Sequence, residues 1–90
     1  MMTKRLFVKN IDRDVTAEQI ISLFSTYGDV DDFVLKRRRG IGFIQMTSAS
    51  EALRARKNLD GESIWGRSLD VTALHDSLGG RLFYLLQRYF

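Results

Sequence analysis

The sequence predicts an α+β fold in which two helices cover one face of a four-stranded antiparallel sheet. Four short segments alternate apolar with polar residues, as half-buried strands do. Two further segments carry apolar residues at helical spacing, and each begins at a hydroxyl side chain. With 90 residues, of which 44% are hydrophobic, the chain is long enough to form one domain with a packed core.

The first strand and the first helix are predicted in residues 5–28. In 5–9, Leu6 and Val8 point to one side and Phe7 to the other. Thr16 and Gln19 form a capping box, which satisfies the first backbone N–H groups of a helix, and glycine 28 is typical of a helix end. The residues at helical spacing, which we expect in the core, are Ile20, Leu23, Phe24 and Tyr27.

The second and third strands are predicted at 30–36 and 40–46. In the second strand Val30, Phe33 and Leu35 are expected to point inward, and the irregular step between the first two predicts a bulge or an uneven strand start. Alternation in the third strand divides its residues between the two faces, with Gly42, Ile44 and Met46 inward and Ile41, Phe43 and Gln45 outward.

The second helix and the last strand complete the predicted order. Ser48 and Glu51 form a second capping box, and Asp60-Gly61 is expected to end the helix. Leu69 and Val71 then alternate with polar residues as the last strand. The order β-α-β-β-α-β is that of the split βαβ arrangement, also called ferredoxin-like, with both helices on one face.

The face without helices is predicted to carry large apolar groups. Phe7, Ile41 and Phe43 point to it from two strands, and a patch of exposed apolar residues indicates a partner surface. Four polar or basic residues surround them: Arg5, Lys9, Lys36 and Gln45. Aromatic rings next to cations suit unstacked bases and phosphates, so the pattern favours single-stranded nucleic acid.

The net charge of +3 comes from one short run of basic residues. Four of the 14 Lys and Arg residues are consecutive, from Lys36 to Arg39, and without them the remaining basic residues number one fewer than the 11 acidic ones. A local patch of basic residues is typical of nucleic-acid-binding proteins. A solvent-exposed turn between two strands would produce the same run of charges.

Two peptides resemble the signature sequences of the RNA recognition motif. The hexamer LFVKNI, Leu6–Ile11, matches the pattern of the family's first strand. The octamer RGIGFIQM, Arg39–Met46, resembles that of its third strand and differs at Ile41 and Met46, where the family prefers aromatic residues. Residues 4–74 are therefore identified as a member of this family. The short basic loop is similar to that of the first such motif in nuclear splicing and paraspeckle proteins of the DBHS type.

The resemblance implies that Phe7 and Phe43 stack on successive bases and that Arg39 contacts a phosphate. Side chains at glycines 40 and 42 would clash with a neighbouring strand or with the ligand. Non-catalytic binding of single-stranded RNA is the function that follows. The alternative is a protein-interaction module of the same fold, whose sheet is masked by the C-terminal segment or by a partner peptide. The residues expected at the RNA are Arg5, Phe7, Lys9, Asn10, Lys36, Arg37, Arg38, Arg39, Ile41, Phe43 and Gln45.

The composition argues against several other functions. The chain has no cysteine and a single histidine, His75, so we expect no thiolate zinc site, no other metal, no cofactor and no catalytic triad. Asp29, Asp31 and Asp32 crowd together but lack further oxygen-ligand spacing. No apolar run approaches the ~20 residues of a membrane helix and no signal peptide is visible. We expect a nuclear or cytoplasmic domain, with the nucleus favoured, that is not secreted and contacts no membrane.

The C-terminal residues form a separate unit in the predicted organisation. We expect a domain at 1–74, a linker at 75–80 and an amphipathic segment at 81–90 that forms a short helix. The start of a second, truncated motif is an alternative, because Arg81-Leu82-Phe83 repeats Arg5-Leu6-Phe7. The residues through which this segment would contact the sheet, a second copy or another protein are Leu82, Phe83, Leu85, Leu86 and Tyr89.

Overall fold

A four-stranded sheet, two helices and a small hairpin make up the fold of residues 3–75, which are the residues that the computed structural model describes. The predicted segment 81–90 and all but the first residue of the predicted linker lie outside them. The elements, in chain order, are β1 (Arg5–Lys9), α1 (Ala17–Ser25), β2 (Val30–Lys36), a 3-10 turn (Arg37–Arg39), β3 (Ile41–Met46), α2 (Ala49–Leu59), β4 (Ser63–Ile64), β5 (Arg67–Ser68) and β6 (Asp70–Ala73).

The sheet is antiparallel throughout and has the strand order β2-β3-β1-β6. The predicted α+β fold is confirmed, and β1 and β3, which carry the two signature peptides, lie side by side at its centre. The predicted bulge is also present, because the β2–β3 register shifts between Val30 and Asp32. The first and last described strands meet at one end, where the Thr3 hydroxyl donates to the Leu74 carbonyl at 3.0 Å.

The core lies between the sheet and the two helices. Phe24, predicted as a core residue, is fully buried, whereas Tyr27 and Phe33, also predicted in the core, are partly buried and pack against its edge. Burying a leucine or phenylalanine side chain stabilises the folded chain by about 1.5–3 kcal/mol. The buried members of this cluster come from both helices, their loops and one face of the sheet: Leu6, Val8, Ile11, Val15, Ile20, Phe24, Ile44, Met46, Ala52, Ala55, Leu59, Leu69 and Val71.

The two helix starts differ from each other. The capping box at Thr16 and Gln19 is complete, with both reciprocal hydrogen bonds present. At the second helix Ser48 accepts from the backbone N–H of Glu51 at 3.2 Å, as predicted. The Glu51 carboxylate does not return to the cap backbone, which corrects the second half of that prediction. It accepts from the hydroxyls of Thr47 and Ser48 and from the backbone N–H of Asp29.

The hairpin β4–β5 was not predicted from the sequence. Its turn residues Trp65 and Gly66 both have left-handed backbone angles, with φ of 54° and 78°. Two such residues in succession form the tight two-residue turn that connects the strands of many β-hairpins. Trp65 lies partly buried against the core, which compensates for a conformation that residues other than glycine rarely adopt. Within residues 3–75, no helix has the length and apolar character needed to cross a bilayer.

Candidate nucleic-acid interface

An aromatic pair occupies the middle of the sheet face that points away from the helices. Phe7 and Phe43 are direct cross-strand partners in the β1–β3 ladder. Their ring centroids are 5.0 Å apart and their planes are inclined by 16°. The alternation of each strand produces this position, because Leu6, Val8 and Ile44 on either side of the pair enter the core. Two nearly parallel rings form a continuous apolar platform.

The two rings differ in their exposure to solvent. Phe7 is half-buried, whereas Phe43 is only 1% exposed although it does not belong to the core between sheet and helices. The expectation that both rings are open to water is therefore wrong for Phe43. The Phe7 ring, whose centroid lies 5.0 Å away, covers part of the Phe43 ring. Ile41, two residues along β3, is half-buried on the same face.

Cations flank the aromatic pair at the end of the face where β1 and β2 finish. The ammonium nitrogen of Lys9 lies 5.9 Å from the centroid of the Phe7 ring, within reach of a cation–π contact. It also forms a salt bridge of 3.3 Å to Asp70, with both side chains about half-exposed. Lys36 is the cross-strand partner of Ile41, which places a second cation at this end.

The other end of the face carries Arg5 and Gln45, which are cross-strand partners. The Nε atom of Arg5 is buried and has no hydrogen-bond partner, so one donor of its guanidinium is unsatisfied. The amide nitrogen of Gln45 donates to the carboxylate of Asp31 at 2.7 Å. Asp31 is the extra residue of the β2 bulge, and the bulge brings its carboxylate to the amide.

The basic run forms a compact 3-10 turn rather than an extended loop. Arg37, Arg38 and Arg39 are all exposed, and glycine 40 ends the turn with φ of 65°. The turn is joined to the loop after β1 in two places. Ile11 donates its N–H to the carbonyl of residue 40 at 2.9 Å, and the guanidinium of Arg37 donates to the carbonyl of Arg13 at 3.2 Å. These bonds hold the arginines beside the end of the aromatic face.

The structure places Asn10 in a different environment from the other predicted RNA-contacting residues. Its side-chain nitrogen donates to the carbonyl of Ser68 at 2.9 Å, and its side-chain oxygen accepts from Arg67 at 3.0 Å. Both ends of the amide are thus used inside the chain, to join the end of β1 to the hairpin. Its φ of 64° is tolerated because asparagine enters the left-handed region more easily than most residues.

Two basic residues of this region were missed by sequence reasoning. Arg13 and Arg67 lie with Arg37 and Arg38 around one cleft at the end of the sheet, which also includes Asp12 and Asp14. They come from a loop and from a hairpin separated by more than fifty positions in the chain. In the sequence each is a single arginine beside an acidic or polar residue, so only the folded chain, in which both line this cleft, shows that they lie close together.

Comparison with known proteins agrees with this arrangement. The family model of the RNA recognition motif matches residues 6–70. Human Paraspeckle component 1 is 39% identical over 67 residues, which is 74% of this chain and 13% of that protein. The human protein named Splicing factor, proline- and glutamine-rich is 36% identical over 67 residues, covering 74% of this chain and 10% of its own. The chain therefore spans about an eighth or less of these curated relatives.

Solved structures give the same result. The RNA15 RRM superposes with a TM-score of 0.80 at 25% identity, over 86% of this chain and 95% of that one. The structure of the C. elegans NONO-1 homodimer matches with a TM-score of 0.76 at 30% identity, over 80% of this chain and 29% of that one. The strand order, the two signature strands and these matches lead to one conclusion: the chain belongs to the RNA recognition motif family.

Proposed function

We propose that this domain binds single-stranded RNA on the sheet face and performs no catalysis. Family membership supports RNA binding in general, and the observation that carries the finer proposal is the Phe7–Phe43 platform with its flanking cations. Each base presents a π face to an aromatic side chain whatever its identity, and such stacking contributes about 1–3 kcal/mol per base. The cations beside the rings would bind the phosphates between the stacked bases.

A single strand fits this face better than a duplex does. In a duplex the bases are stacked on each other, so their π faces are not accessible to protein rings. The sheet of this family binds two or three splayed bases. Stacking of a base on Phe43, which is 1% exposed, requires that the atoms around this ring move aside. Ile41 supplies apolar contact where a third ring would stand, so we expect modest affinity.

A nuclear location is part of the proposal. The relatives are named as a paraspeckle component and a splicing factor, and both terms belong to nuclear RNA processing. Because this chain matches only a small part of each relative, we carry over the location and the RNA-processing context and not their other activities.

Phe43→Ala tests the proposal. We expect the folded variant to bind a labelled single-stranded RNA about 5–150-fold more weakly, which corresponds to the loss of one stacked base. Phe43→Leu keeps the apolar volume but removes the π face, so its affinity should also fall. Phe33→Leu makes the same chemical change on the helix side of the sheet and serves as the matched control. Fluorescence anisotropy gives the affinities, and thermal unfolding shows that each variant is folded.

Two results would contradict the proposal. A folded Phe43→Ala protein with wild-type affinity would mean that the ring does not contact the RNA. Equal affinity for a single strand and for the corresponding duplex would mean that the phosphate backbone alone is bound.

A further inference from the structure

We infer that the cleft lined by Arg13, Arg37, Arg38 and Arg67 binds the sugar–phosphate backbone of RNA where the strand leaves the aromatic face. We call it the arginine cleft. The inference rests on the proposed function and adds to it a second site, with a different ligand chemistry, outside the sheet face. The cleft has a volume of about 580 Å³, large enough for a phosphate with its sugar.

Three separate parts of the chain build the arginine cleft. Arg13 comes from the loop between β1 and α1, Arg37 and Arg38 come from the 3-10 turn, and Arg67 begins β5. Two aspartates of the first loop, Asp12 and Asp14, also line it. Asp12 is occupied, since one of its oxygens accepts from the backbone N–H of Asp14 at 2.9 Å and the other lies 3.7 Å from Arg67. Four guanidinium groups against two carboxylates leave a positive site.

Hydrogen bonds hold two of the arginines in position before any ligand arrives. Arg37 donates from Nε to the carbonyl of Arg13, and Arg67 donates from one terminal nitrogen to the oxygen of Asn10. A guanidinium has five N–H donors, so each side chain keeps further donors for a ligand. Holding the side chains in place reduces the entropy that is lost when a phosphate binds.

The arginine cleft lies next to the aromatic face. Lys9, whose ammonium group lies by the Phe7 ring, is the last residue of β1, and the next residue, Asn10, holds Arg67. On the neighbouring strands, Lys36 is the last residue of β2 and Arg37 follows it directly. A strand that crosses the face toward Lys9 and Lys36 therefore meets these arginines next.

The chemistry of the lining indicates recognition of backbone and not of bases. Its residues are arginine and aspartate, and guanidinium groups bind phosphate oxygens in a planar, bidentate way. Aromatic side chains that could stack on a base lie on the sheet face and not in this lining. Contacts of this kind position the strand without reading its sequence.

The experiment compares short and long single strands. The sheet of this family accepts two or three bases, so a strand of about four uridines should fill the face and one of about ten should also reach the arginine cleft. The variant Arg13→Gln/Arg67→Gln removes two positive charges. Because Arg13 accepts through its backbone carbonyl, its substitution leaves the bond from Arg37 in place. The matched control, Arg54→Gln/Lys57→Gln, removes two charges from exposed positions of α2.

We expect the wild-type protein to bind the long strand more tightly and with a steeper dependence on salt. Each phosphate contact on a single strand adds about 0.7 to the slope of log affinity against log salt concentration. When salt rises from 50 to 200 mM, the affinity of the Arg13→Gln/Arg67→Gln variant should therefore fall by a factor about seven times smaller than that of the wild-type protein. Its affinity for the short strand should be unchanged. Arg67→Lys keeps the charge and should retain most of the wild-type salt dependence, because that dependence follows the number of positive charges at the phosphates.

Three results would overturn the inference: equal effects of the two charge pairs, equal effects on the two strand lengths, or no effect at all. The result for the wild-type protein separates this inference from the proposed function. Normal binding without any dependence on strand length overturns the arginine cleft alone, whereas failure to bind either strand overturns both.

Discussion

The carbonyl oxygen of Ile11 lies 2.8 Å from the position that a Cβ atom on Gly40 would occupy. The N–H of Ile11 also donates to the carbonyl of Gly40 at 2.9 Å, so the loop after β1 and the turn before β3 are in direct contact. This corrects the expectation that a side chain on this glycine would meet a strand or the ligand. The glycine allows the β1 loop to approach, and that loop carries Arg13.

Gly40→Ala should lower the free energy of unfolding. Its φ of 65° costs a residue with a Cβ atom about 1–2 kcal/mol, and the collision with the Ile11 carbonyl adds to that cost. Gly61→Ala is the matched control, because its φ of 82° imposes a similar strain while nothing lies within 4 Å of the added atom. Urea unfolding gives both values. Equal losses in the two variants would show that the close approach to Ile11 has no energetic effect.

Ile41→Phe should tighten RNA binding. Ile41 lies on the aromatic face, two residues from Phe43, and supplies apolar contact without a ring. A phenylalanine there adds a stacking surface, and stacking contributes at least about 1 kcal/mol, or roughly fivefold in affinity. Ile41→Leu changes the shape of the side chain without adding a ring and is the control. Unchanged or weaker binding by a folded Ile41→Phe protein would mean that no base or sugar reaches this position.

Deletion of residues 79–90 should raise the affinity for RNA and shift the amide resonances of Phe7 and Phe43. This segment lies outside the described residues, but its apolar sequence and the burial of Phe43 motivate the expectation. Burying about four apolar side chains, at about 1.5–3 kcal/mol each, offsets only part of the cost of ordering about ten residues at roughly 1–2 kcal/mol each. A cover of this kind would be reversible.

A substitution in the full-length chain separates this effect from that of truncation. Leu85→Asp should act in the same direction as the deletion, because it places a charge among the apolar residues of the segment 81–90. If the deletion dissolves a dimer and leaves the two amide resonances unchanged, the segment joins two copies of the chain. If neither property changes, the segment does not compete with RNA.

Acid should reveal the role of Glu51 in stability. Hydrogen bonds from Thr47, Ser48 and the Asp29 backbone favour its charged form and hold the pKa of Glu51 below its usual value of 4.5. A carboxyl group with a lowered pKa stabilises the folded chain above the pKa of the unfolded chain. That contribution is lost as the pH falls through the lowered value. Thermal unfolding midpoints of wild type and Glu51→Gln should therefore differ most near neutrality and converge in acid. Glu62→Gln removes an exposed carboxylate without these bonds and is the control.

Local patterns were enough to predict the main elements of the fold. Alternation, capping residues and the irregular step after Val30 are properties of a few consecutive residues, and each leads to one local structure. The β4–β5 hairpin was missed because two-residue strands leave no alternation, and because Trp65 takes a backbone conformation that its residue type disfavours.

In the candidate site, only the positions that depend on the alternation of side chains along a strand could be predicted from the sequence. The outward positions of Phe7 and Phe43 depend on alternation alone, whereas the 1% exposure of Phe43 depends on the packing around its ring. The engagement of Asn10 with Arg67 depends on a contact across 57 positions of the chain. Contacts between residues so far apart in the sequence are set by the packing of the whole domain, so a local sequence pattern does not predict them.

The bond between the Thr3 hydroxyl and the Leu74 carbonyl has a consequence for how the domain can be tethered. Both ends of the described chain emerge side by side at the pole where β1 begins, and the arginine cleft lies at the pole where β1 ends. Five strand residues at about 3.3 Å each separate the two poles by roughly 17 Å. A fluorophore, a surface anchor or a flexible linker attached at Thr3 or after Leu74 would therefore be attached at the pole opposite the arginine cleft.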